Sequence, residues 1–222
     1  MLQKILDWSE VWALLIPLFV IIKYPKRPYY LRPIKIYIWL ALVIDICIDV
    51  IMEFKIILNL PQWLRYNNFL YNLHSIVRFL CFSYFFILLK QDYFTSVKKT
   101  LPFISLMFIA INFLFFEDFF YKESFSSRLL AIESGLLLFY CLQYYLFKLQ
   151  DETTTNKRQP DFWIVTGLAI YVVFNFFYFL FYRTLLDRGY VEEVIRLWDF
   201  HNITYIILCI FIAKAFYISK NE

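Results

Sequence analysis

The sequence predicts an all-α membrane protein, a bundle of seven transmembrane helices, and three observations carry that prediction. Apolar residues make up 62% of the 222 residues and charged residues only 18%, against about 45–50% and about 25% in an ordinary soluble domain. Mean hydropathy is +0.60. The apolar residues also fall into seven runs joined by short polar connections, so the whole of 1–222 reads as one integral membrane domain with no room for a separate soluble one.

A hydrocarbon core about 30 Å thick takes about 20 residues of helix. The expected spans are 8–24, 33–54, 70–90, 101–116, 128–149, 162–185 and 197–218. The first is the weakest, because Lys4 and Asp7 precede it and Glu10 and Pro17 lie inside it. That mixture of charges, without a small-x-small cleavage site, argues for a retained span over a signal peptide. The second is interrupted by Asp45, Asp49 and Glu53, and the third by Asn72, His74, Ser75 and Arg78. The fourth lies between Lys98–Lys99 and Glu117–Asp118, and the fifth carries Glu133 and Ser134 below its outer end. The sixth is entered past Pro160 and Trp163 and holds Asn175 between Tyr171 and Tyr178 at helical spacing. The seventh opens on Asp199, His201, Asn202, Thr204 and Tyr205, with 190–195 expected to extend it as an exposed helical turn.

Lys and Arg concentrate on one side of this arrangement. The first, third and fifth connections and the C-terminal end hold thirteen, namely Lys23, Lys26, Arg27, Arg32, Lys35, Lys90, Lys98, Lys99, Lys148, Lys157, Arg158, Lys214 and Lys220. The other side holds eight, namely Lys4, Lys55, Arg65, Lys122, Arg128, Arg183, Arg188 and Arg196, interleaved with acids. The positive-inside bias therefore places the N-terminus outside and the C-terminus in the cytoplasm, as in a multi-pass protein of a cell inner membrane. Trp8, Trp12, Trp63, Trp163 and Trp198 fall near span ends, as an interfacial belt requires. The formal charge of +4 then reflects topology, and no nucleic-acid partner is expected.

Several classes are disfavoured by composition. Three glycines build neither a phosphate loop nor a GxxxG face. Cys47, Cys81, Cys141 and Cys209 sit in four different spans and read as packing residues. No metal or other cofactor is expected.

Ionisable groups inside a bilayer are costly and are by default candidates for function. Asp45, Asp49 and Glu53 share one stripe of the second span, and His74 and Arg78 one face of the third. Counting from the outer ends puts Asp49 level with Arg78, which predicts a structural ion pair. Glu133, Tyr171, Asn175, His201, Asn202 and His74 lie at comparable height, whereas the inner halves are nearly all Ile, Leu, Phe and Val. That asymmetry predicts an outward-facing polar pocket above an apolar plug, with these six as its ligand-binding residues and a small unidentified ligand.

Three stretches, Glu133-Ser134-Gly135-Leu136, Pro160-Asp161-Phe162-Trp163 followed by Gly167-Leu168-Ala169-Ile170-Tyr171, and Trp198-Asp199-Phe200-His201-Asn202, resemble small seven-span membrane proteins of the Bacteroidota. The resemblance covers most of the chain. It implies a sensory or accessory role, since such proteins are encoded near sensor histidine kinases, and it supplies no catalytic residue.

A receptor-like or signalling accessory module is the leading reading, with the lipid bilayer as its medium and a sensor kinase or other membrane protein as partner. An intramembrane metal-dependent hydrolase of the ceramidase type is an alternative. It needs about three histidines to hold zinc, and the chain has two, His74 and His201, with Tyr205 where a second last-span histidine would stand. A small transporter is the other, though half-to-half similarity is lacking and Pro61-Gln62 falls in an outer loop. Lys214 is expected to snorkel to the headgroups instead of forming a Schiff base, the Asn202-Ile203-Thr204 sequon to be buried, and 151–159 to be a flexible loop.

Overall fold

The computed structural model describes residues 2–25, 28–54, 57, 66–89, 91, 94–121, 125–150 and 159–221. Among them every regular element is helical. They are α1 (Leu2–Asp7), α2 (Ser9–Lys23), α3 (Arg32–Phe54), α4 (Asn68–Leu88), α5 (Thr95–Ile111), α6 (Ser127–Gln150), α7 (Pro160–Asp187) and α8 (Val191–Ile218). A 3₁₀ turn at Tyr29–Leu31 leads into α3, and α5 ends in a π-helical turn at Asn112–Phe116. Trp63, Pro61-Gln62, Lys26, Arg27, Lys55, Arg65, Lys90, Lys122, Lys157, Arg158 and the 151–158 connection lie outside the described residues.

Each expected span coincides with one helix. Five of them, α4 to α8, are long and apolar enough to cross a membrane. α2 has only 15 residues, and every 18-residue stretch of α3 contains three or more charged side chains. Three boundaries differ from the expectation. The chain helix begins earlier than expected as α1, broken from α2 at Trp8 and tied back by Trp12 Nε1 donating to Ile5 O at 2.9 Å. α8 starts at Val191, before the 197 bound of the seventh span, and so takes in 191–195 as the expected helical extension, with Tyr190 as its N-cap. α5 starts at Thr95 and absorbs Lys98, which is buried and donates from Nζ to Gln91 Oε1 at 2.6 Å.

The helices form a closed ring in the order α2, α3, α4, α6, α7, α8 and back to α2. α5 lies outside it, packed mainly on α4. Its outward face bears Phe103, Leu114 and Phe115, each about three-quarters exposed (74–76%), which suits lipid contact. Close packing of α7 on α8 depends on Gly167, where an added Cβ would lie 2.5 Å from Phe211 Cβ.

Inside the ring the two ends differ. Toward the α4–α5 connection the core is aromatic and aliphatic, with Phe82, Phe85, Phe86, Tyr140, Tyr144 and Phe216 buried and Phe86 stacked on Tyr140 at 5.1 Å. Toward the start of α4 it is polar. Cys141 and Cys209 are buried packing residues as expected, whereas Cys47 is exposed on α3.

Candidate functional site

Six helices of the ring each send polar side chains inward, and spacing explains why they meet. His74 and Arg78 on α4, Tyr171 and Asn175 on α7, and His201 and Tyr205 on α8 are each four residues apart, so each pair shares one helical face. Glu10 comes from α2, Tyr37 and Asp45 from α3, and Glu133 from α6.

The strongest contact joins α4 to α6. Arg78 donates from Nε to Glu133 Oε1 at 2.5 Å and from Nη2 to Glu133 Oε2 at 2.7 Å, a bidentate fork. Its Nη1 donates to the Tyr171 hydroxyl at 2.6 Å, and Ser75 Oγ donates to Glu133 Oε2 at 2.6 Å. Arg78 and Glu133 are 4% and 3% exposed. Both charges are out of water, and these supporting hydrogen bonds are the condition under which burying such a pair is tolerable.

Asp45 Oδ1 stands 2.9 Å from His74 Nδ1. His74 Nε2, on the other side of the ring, lies 3.4 Å from the Tyr37 hydroxyl. Tyr37 in turn meets the Tyr205 hydroxyl at 3.3 Å.

His201 sits between two oxygen acceptors. Asn175 Nδ2 donates to Tyr171 O at 2.7 Å, which turns Asn175 Oδ1 toward His201 Nδ1 at 2.5 Å. On the other side His201 Nε2 lies 3.2 Å from Glu10 Oε1. A neutral imidazole has one N–H and cannot donate to both. Donation to both at once therefore requires one further proton on the Glu10–His201 pair. Trp198 stacks on the His201 ring at 4.8 Å, a contact that favours a cationic ring. Tyr171 joins these groups, its ring 5.5 Å from His201 and 5.7 Å from Tyr205.

Of the six residues expected to line a pocket, Glu133, Tyr171, Asn175, His201 and His74 are brought into this core. Asn202 faces α1 instead, where its Nδ2 donates to Leu6 O at 3.2 Å. Two expectations need correction. All six are 0–5% exposed and pack on their neighbours, and the space beside Ser75 and Glu133 amounts to about 10 Å³. The site is thus a packed polar core where an open pocket was expected. Arg78 pairs with Glu133, not with Asp49, which is half-buried and whose Oδ2 has no hydrogen-bond partner. The reason is register: α3 rises past the start of α4, so Asp45 and not Asp49 reaches the His74 turn, and counting from span ends misjudged the offset by about two helical turns.

Roomier spaces lie elsewhere. An apolar groove of about 870 Å³ on α7 and α8 is lined by Val173, Phe177, Phe181 and Leu197. A mixed one of about 770 Å³ lies among Glu117, Ser126, Arg128, Tyr182 and Arg183. Among the described residues no group of three His, Cys, Asp or Glu is placed to hold a metal ion; His74 and His201 face different carboxylates. The chain matches no protein-family model, no curated protein and no solved structure.

Proposed function

We propose that this chain is a sensory or signalling accessory protein of a bacterial inner membrane, with seven spans, its N-terminus outside and its C-terminus in the cytoplasm. The excess of Lys and Arg on the C-terminal side supports that orientation. The shared stretches named above support kinship with the small seven-span proteins of the Bacteroidota, and a sensor kinase docked on the basic connections is the partner this reading assigns.

The observation that carries the reading is His201 placed between Asn175 Oδ1 and Glu10 Oε1, an arrangement fully bonded only when one further proton is bound. While it is present, α2 is bonded to α8 and through Asn175 to α7. When it is lost, a carboxylate faces an imidazole lone pair or the Asn175 carbonyl loses its donor. The attraction between α2 and α8 falls. A scaffold has no need for such an arrangement, whereas a two-state device does: any stimulus that stabilises one protonation state shifts the population of helix packings. His is the side chain suited to that task near neutral pH. The elbow at Trp8 and the Asn202–Leu6 bond make α1 and α2 the element that would move.

The test is hydrogen exchange of the protein in lipid vesicles at about pH 8 and about pH 5, with proton flux followed in the same vesicles. The sensory reading predicts a change in protection at α1, α2 and the start of α8, without flux. Flux that disappears in Glu10→Gln would make the chain a transporter, and unchanged protection would contradict the switch. A C-terminal reporter active only in its cytoplasmic form tests the orientation separately.

A further inference from the structure

We propose that the end of the bundle opposite the polar core carries a binding site for the phosphodiester headgroup of an anionic phospholipid. A pocket of about 340 Å³ opens there, within the size range of small-ligand sites. It is lined by Pro25, Tyr29, Leu31, Arg32, Lys35 and Phe216. Leu31 and Phe216 are fully buried and form an apolar floor, while Arg32 and Lys35 are exposed at the rim.

Charge decides what fits. The sequence contains no Asp or Glu from Val11 to Ile44, nor between Asp199 and Glu222. Among the described residues no carboxylate comes within ion-pair distance of Arg32 or Lys35. More cations gather beside the pocket: Lys23 and Lys220 lie 5.7 Å and 5.4 Å from the Tyr24 ring, and Lys220 lies 4.0 Å from the Tyr217 ring. The 23-residue α3 begins at Arg32, so the positive end of its dipole adds to the same rim. The positive-inside bias accounts for the number of cations on this side. It does not account for a concave, acid-free site with an apolar floor, which suits a charged phosphate joined to a glycerol and acyl chains.

The experiment is native mass spectrometry of the detergent-solubilised full chain, titrated with phosphatidylglycerol and, separately, with phosphatidylcholine of the same acyl chains. Each cation near a headgroup contributes about 5-fold in affinity, so the wild type is expected to retain one phosphatidylglycerol with a preference of at least about 30-fold, the share of Arg32 and Lys35 alone. Arg32→Gln/Lys35→Gln is expected to reduce that preference by about 30-fold, the share of two cations, and Arg188→Gln/Arg196→Gln, at the other end, to leave it unchanged. Equal retention of the two lipids by the wild type would overturn the proposal without recourse to any variant. So would an undiminished preference in Arg32→Gln/Lys35→Gln, an equal loss in the control variant, or displacement of the lipid by excess inorganic phosphate, which would assign the site to the free anion.

Discussion

The two halves of the helix ring are equally well buried but are held by different forces. In one, Phe82, Phe85, Phe86, Tyr140 and Tyr144 fill space. In the other, Glu10, Asp45, His74, Arg78, Glu133, Asn175 and His201 exchange hydrogen bonds and charge across all six helices. Lipid tails are as apolar as the first half, so helices there associate mainly by packing. The Tyr140 hydroxyl donates to Lys98 O and the Tyr144 hydroxyl to Asp161 beside it, and among the described residues no buried ion pair there fixes one fit over a neighbouring one. The second half has no such latitude. A buried charge that loses its partner is stranded, so the polar half allows only discrete arrangements and is the part of the molecule able to switch between them.

The largest expected effect comes from removing one member of the Arg78–Glu133 pair. Arg78→Leu or Glu133→Leu alone should destabilise the protein by about 3–5 kcal/mol, measured as thermal unfolding in detergent, while Arg78→Leu/Glu133→Leu recovers most of that loss. Additive losses would show that the two charges are independent. Next comes Gly167→Ala, where the new Cβ meets Phe211; overpacking should cost about 1–3 kcal/mol, and partial rescue by Phe211→Ala would confirm the contact. Phe86→Ala in the aromatic half should cost about 2 kcal/mol, at or below the lower limit for soluble cores, because lipid exclusion contributes nothing to the transfer term. A loss as large as that of Arg78→Leu would remove the distinction between the halves. The smallest change is expected for Asn175→Leu, about 0.6–1.7 kcal/mol, typical of interhelical hydrogen bonds in bilayers.

Much of this architecture was legible in the sequence because bilayer thickness fixes helix length: all seven expected runs coincide with α2 to α8. The short α1 was not, since six residues before a break at Trp8 produce no span-length signal. For the core, spacing of four identified His74 with Arg78 and Tyr171 with Asn175, and the polar residues of α6, α7 and α8 were correctly placed at one height. Their partners were not legible. Pairing depends on register between helices, which is set by how far α3 rises above α4, and no periodicity within a single helix encodes that. Glu10 was passed over as a flank of the weakest span, although it is the acid that faces His201.

The central claim is that the contact between Glu10 and His201 holds the polar half in one of two states. Spin labels on cysteines replacing Asp7 and Tyr190, in a Cys47→Ala/Cys81→Ala background, report the distance between the α1–α2 elbow and the start of α8 by pulsed electron resonance. A single short distance is expected in the wild type and a second, longer population in Glu10→Gln/His201→Gln, where neither side chain can hold the further proton. One unchanged distance in both proteins would show that the polar core is a rigid scaffold and contradict the claim.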